Sequence, residues 1–218
     1  MSILTGQEIK KQIKRKHIRI GNYNENRVQP NSYDLTLGDK VSYFLLDDHY
    51  TQITSLDLDT PCRRYVNRNG PDISDSLYRH GPDVCVSEAY LDTAQENEMY
   101  TKPILTDGYI LYPNTLYIVE TVESVWSDKY VVEVSGTSSL ARLGVTVHKT
   151  AGYANIGHEF KWILEIEVTH PVKVYPGMKI AQMYFHTIKG SNRMKYRGKY
   201  KDAQMNDTLC GSLSHLDK

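Results

Sequence analysis

A chain of 218 residues is ample for one domain with a real core and could hold two small ones. Its 26 Lys and Arg balance 26 Asp and Glu, which argues against nucleic-acid binding by bulk charge, and no apolar stretch reaches the length of a membrane span. Three cysteines with no pairing pattern, and a charged N-terminus unlike a signal peptide, lead to the expectation of a soluble protein in a reducing compartment, the cytoplasm.

The first element is a helix. Thr5 and Glu8 have the spacing of a capping box, Leu4 and Ile9 that of a hydrophobic staple, and Ile13 continues the same face. The basic run Lys10-Lys11-Gln12-Ile13-Lys14-Arg15-Lys16-His17 reads as a solvated helix face. Strands are predicted at 34–37 and 41–46, followed by a polar region, about 47–97, whose only expectation is short strands and long loops near a site or a subunit interface. Asp107-Gly108, set between Ile104-Leu105 and Tyr109-Ile110-Leu111, signals a hairpin.

Short strands continue at 116–119, 130–134, 145–147, 162–168, 172–174 and 181–186, with turns between them. From about 189 the periodicity is lost, and Gly190, Gly198 and Gly211 would allow a mobile tail. With no internal repeat or low-complexity linker, the pattern predicts one domain over 1–218. It is mainly β and jelly-roll-like, with a short N-terminal helix. The 17 tyrosines, spread through these strands, suit sheet surfaces and subunit contacts.

Chemistry concentrates between Ser135 and Glu165. Ser135-Gly136-Thr137-Ser138-Ser139 punctuates two β-rich runs, and such a turn can present hydroxyls and backbone N–H groups to an anion. Arg142 shares a site with Ser138 if the backbone turns or coils between them, and its fork suits phosphate or a developing negative charge. In 162–168, alternation sends Trp162, Leu164, Ile166 and Val168 to one face and Ile163, Glu165 and Glu167 to the other. Taken singly, each of these features is ordinary surface. His148, inside an alternating run, reads as a packed or hydrogen-bonded structural residue, and His158 as a loop histidine.

Six segments in order change that reading. They are Gln29-Pro30-Asn31-Ser32-Tyr33-Asp34-Leu35-Thr36-Leu37-Gly38, then 136–144, then His148-Lys149-Thr150-Ala151-Gly152-Tyr153, then Leu164-Glu165, then Pro176-Gly177-Met178-Lys179-Ile180, then Tyr196 with Lys199-Tyr200. Together they resemble the dCTP deaminase branch of the trimeric dUTPase-like superfamily over most of the chain. The resemblance implies a catalytic set of Ser138, Arg142, Ala151 and Glu165, and hydrolytic deamination of dCTP to dUTP and ammonia. It also implies magnesium on the phosphates, a homotrimer with sites between subunits, and a tail, 189–218, that closes over the nucleotide.

Glu165 would take a proton from the attacking water and return one to the base, a service worth roughly 10² to 10⁴ in rate and best performed when burial lifts the carboxyl pKa. Ser138 and the Ala151 carbonyl would hold the water or the ring, and Arg142 would hold and polarise the base. Thr137, Ser139, Tyr153, Asn155, Tyr196, Lys199, Tyr200 and Gln204 would bind the rest of the substrate. The family match of His148 leaves room for nucleotide-responsive regulation. A zinc route lacks its residues: Cys62, Cys85 and Cys210 are far apart, no Cys-x-x-Cys occurs, and His158-Glu159 is followed by Phe160-Lys161-Trp162.

Three departures from the family pattern bear on substrate. Thr137 stands where relatives usually place Arg or Lys, Asn155 stands for their Asp, and Ala203 stands for a Gln, with Gln204 one place on. Two alternatives therefore stay open. One is a dUTP diphosphohydrolase, alone or coupled to deamination, against which Asn155 counts. The other is a non-catalytic nucleotide-sensing homologue. Neither nucleic acid nor a membrane is expected as a partner.

Overall fold

The computed structural model describes residues 2–44, 91, 97 and 99–191. Packing divides the chain into two units, 1–43 with 100–210 and 44–99 with 211–218. Every element below lies in the first, apart from the terminal residues Phe44 and Met99. The expectations for most of 47–97 and for the tail beyond 191 lie outside the described residues.

Helix α1 (Gly6–Lys14) starts where Thr5 Oγ1 accepts the Glu8 N–H at 3.3 Å, and Leu4 and Ile9 are both buried as a staple requires. Glu8 directs its carboxylate to Gln12 and Lys11. Thr5→Ala should therefore cost about 1 kcal/mol of stability, read as a lower urea midpoint at unchanged slope.

The strands are β1 (Ile18–Ile20), β2 (Tyr33–Phe44), β3 (Met99–Pro103), β4 (Tyr109–Leu111), β5 (Tyr117–Ser127), β6 (Tyr130–Gly136), β7 (Val145–Thr146), β8 (Tyr153–Ala154), β9 (Phe160–Val168), β10 (Val172–Val174) and β11 (Lys179–Thr187). A five-residue helix, α2 (Ser138–Arg142), follows β6. Nine strands form one curled sheet in the order β7-β9-β5-β2-β11-β6-β8, with β1 also on β5 and β3 on β2, while β10 and β4 pair separately. Among the described residues no helix is long and apolar enough to cross a membrane.

Strand β2 ties the sheet together. Its first half, from Tyr33 to Thr36, pairs with β11, and its second half, from Leu37 to Tyr43, pairs with β5 across a register shift. Gly38 sits at that shift, where a Cβ would come 2.8 Å from the Glu120 carbonyl oxygen. Burial alternates along β5 and β9, whereas 33–37 of β2 is buried at every position; Tyr33, Leu35, Val41, Leu164, Ile166, Ile180, Met183 and Phe185 are fully buried. Each contributes roughly 1.5–3 kcal/mol by leaving water.

The mainly β expectation holds, with local corrections. Predicted strands 34–37 and 41–46 are, as far as Phe44, one bulged strand, residues 45–46 lying outside the described ones, and 116–119 continues to Ser127. The turn at Asp107-Gly108 exists, with Gly108 at φ 94° and its N–H on the Leu105 carbonyl at 2.9 Å, yet it closes no hairpin. Ile104 N–H bonds Asp39 O, keeping that side on β2, while β4 runs antiparallel to β10, Leu111 opposite Val172. Strands β1, β3 and β8 carried no signal strong enough to be read beforehand.

Candidate active site

At Gly136 the chain leaves the sheet and coils once. Thr137 is the N-cap of α2 in an extended conformation without a side-chain capping bond, and buried Leu140 pins the turn to the core. Gly144 then reverses the chain at φ 69°, where a Cβ would lie 2.0 Å from Thr169 Oγ1. That reversal lays β7 antiparallel on β9, with Val145 opposite Val168 and Thr146 opposite Glu167. Carrying the same register two residues past β7 sets His148 opposite Glu165. On its other flank Glu165 faces Ile118 of β5.

The register brings a histidine and a carboxylate into contact. His148 Nδ1 lies 2.6 Å from Glu165 Oε2, with the imidazole 8 % exposed and the carboxylate 31 % exposed. The Lys149 N–H donates to the same oxygen at 3.4 Å. The ring meets Trp162 edge to face, centroids 6.1 Å apart. Neither ring nitrogen completes a well-aligned hydrogen bond among the described residues, so the pair is an ionic contact first.

The electrostatics follow from these contacts. The Glu165 carboxylate, 2.6 Å away, raises the His148 pKa, and burial opposes it. At Glu165 burial is the largest influence and pushes upward, but the hydrogen bond and charge of His148, with the Lys149 N–H, together carry the pKa below its ordinary value. Burial alone would lift this carboxyl, and His148 beside it outweighs that push. Neighbouring charges are matched among themselves: Lys149 with Glu167 at 2.8 Å and Lys161 with Glu120 at 3.4 Å.

Ser138, Ser139 and Arg142 are exposed on α2, with Ser138 and Arg142 four residues apart and so on one helical face. Ala151 is exposed between Lys149 and β8. Tyr153, 58 % exposed, sets its ring against His186 at 6.0 Å, and Asn155 is exposed just beyond β8. Within the chain, no hydrogen bond or ion pair among the described residues joins Glu165 to Ser138 or Arg142. Tyr196, Lys199, Tyr200 and Gln204 lie outside the described residues. No three His, Cys, Asp or Glu side chains converge as a metal centre needs, again among the described residues.

Reading the sequence left His148 a packed or hydrogen-bonded structural residue and did not name Glu165 as its partner. The signal was present only in the pairing of β7 with β9, which periodicity along either strand cannot supply.

A family profile described as dCTP deaminase-like matches residues 3–188. A protein of Leptospira biflexa named "dCTP deaminase, dUMP-forming" is 32% identical over 215 residues, 99% of this chain and 97% of that one. One of the same name from Cytophaga hutchinsonii is 33% identical, covering 99% and 98%. The crystal structure of 2'-deoxycytidine 5'-triphosphate deaminase from Agrobacterium tumefaciens superposes with a TM-score of 0.53 at 20% identity, over 85% of this chain and 47% of that one. That likeness is one of fold.

Proposed function

The chain belongs to the dCTP deaminase-like family, and we propose that it is an enzyme that removes the 4-amino group of a cytosine deoxynucleotide, dCTP, by hydrolysis. The observation that carries this reading is Glu165, a half-buried carboxylate held at a fixed place on β9 by an imidazole 2.6 Å away. Water at neutral pH needs a base to attack C4. Glu165 accepts one proton from the water and gives it to the ring nitrogen, where it stays; it then carries the second proton, from the C4 hydroxyl of the tetrahedral intermediate, to the amine, and the C4–N bond breaks as C4=O forms and ammonia leaves.

Arg142 and Ser138, on one face of α2, polarise the base and hold the water, aided by the Ala151 carbonyl. Their exposure on a single chain supports a homotrimer in which neighbouring copies complete each site. Thr137, Ser139, Tyr153, Asn155 and the tail residues Tyr196, Lys199, Tyr200 and Gln204 hold sugar and phosphates. Magnesium enters as the counter-ion of the triphosphate. At the base the proposal needs no metal.

The product has two readings. The notable fact is that relatives spanning 97–98% of their own length with this chain are named dUMP-forming. It favours deamination followed by loss of pyrophosphate, whereas Asn155 in place of an acid favours dUTP as the end point. Turnover of cytidine and deoxycytidine mono-, di- and triphosphates, with magnesium, should release ammonia from dCTP. Pyrophosphate in step with ammonia identifies the dUMP route, and accumulating dUTP the shorter one. Binding without ammonia from any of these nucleotides would leave a sensing protein instead.

A further inference from the structure

Resting on that reading of Glu165, we propose that His148 is a positioning residue for the reaction: its buried imidazole, 2.6 Å from the carboxylate, fixes Glu165 at the place on β9 from which it takes the proton of water. The geometry is specific. The imidazole is 8 % exposed and sits opposite Glu165 in the β7–β9 register, with its edge on Trp162. His148 is the one cation in contact with Glu165 among the described residues. Lys149 and Lys161 spend their charge on Glu167 and Glu120, and β5 offers Ile118 opposite Glu165.

A cation at this distance alters what Glu165 does with a proton. When the carboxylate takes hydrogen from water, the attraction to His148 is lost, so the acid form is short-lived and its proton goes readily to the ring nitrogen. One O–H bond of water breaks and the O–C4 bond forms as the ring C4–N double bond becomes single; the remaining proton then leaves the C4 hydroxyl for the amine and the bond from C4 to that amine breaks, both protons moving by way of Glu165.

The pair also sets a pH window. Glu165, with its pKa below 4.5, contributes stability present above 4.5 and lost as pH falls through the folded value. His148, with its pKa above 6.5, contributes stability that is full below 6.5 and lost as pH rises through the folded value. Both contributions are whole between those two ordinary values.

Two measurements on the full chain test the inference. Imidazole NMR titration, with the His148 signal assigned by its absence in His148→Asn, should give a midpoint above that of a free histidine in the wild type. In Glu165→Gln that midpoint should fall. The kcat/KM profile for dCTP should have its acidic limb at higher pH in both His148→Asn and His148→Gln than in the wild type, with kcat reduced more than KM is raised. A uniform loss of rate with an unmoved acidic limb would overturn the role, since a merely structural ring would do that. An unmoved His148 midpoint in Glu165→Gln would overturn the pair itself. Absence of deamination by the wild type would instead refute the functional reading and this role with it, while the imidazole titration still reports whether the pair exists.

Discussion

Glu165→Gln should lower ammonia release from dCTP by roughly 10² to 10⁴, the usual worth of a positioned proton acceptor. The amide has the carboxylate's shape and still offers an oxygen to the Lys149 N–H, but it cannot take a proton from water. The substitution also leaves the core alone, because Trp162, Leu164, Ile166 and Val168 face inward while Glu165 is on the other side of β9. Circular dichroism should show the wild-type spectrum, with a modest fall in Tm from loss of the His148 contact. A rate within tenfold of the wild type would remove Glu165 from the mechanism and leave the deaminase assignment without its base. A lost rate accompanied by a lost spectrum would be read only after the same assay on Glu165→Asp, which keeps the charge and withdraws it by one methylene.

What was legible in the sequence was local. The Thr5 cap, the Leu4 and Ile9 staple and the period-two burial of β9 each depend on residues a few positions apart, and all three are present. Pairing was not legible. Asp107-Gly108 carries a hairpin signal, but a turn dictates only the reversal of the chain, and the longer-range match of Leu111 with Val172 decided where β4 went. Coil after Thr137 resolved as a single helical turn because Leu140 gains burial there, a tertiary gain that serines alone do not announce.

The candidate site follows the same division. Glu165 was found from a strand pattern together with a motif resemblance. His148 was in the same motif, yet its contact required knowing that β7 runs back along β9 from Gly144. Burial of Glu165 can be guessed from periodicity, whereas the histidine that lowers its pKa cannot.

The largest stability effect should come from a buried carboxylate further along β5. Glu123 is 0 % exposed, at the irregularity of β5 between Glu120 and Ser124, and its carboxylate binds the Arg27 guanidinium, the Thr36 N–H at 2.9 Å and the Thr36 hydroxyl at 2.8 Å. It thereby joins the short turn Glu25–Arg27 to β2 and β5. Arg27→Met removes the cation while filling similar volume, so the carboxylate stays buried with two neutral donors, at a cost of about 3–5 kcal/mol. Urea unfolding should report that loss as a lower midpoint. Glu123→Gln placed in the Arg27→Met background should recover part of it, because a neutral amide needs no counter-charge and can still accept from the Thr36 N–H. The recovery is the decisive reading: a double variant as unstable as the sum of the single ones would mean the guanidinium acts by packing rather than by neutralising a buried charge.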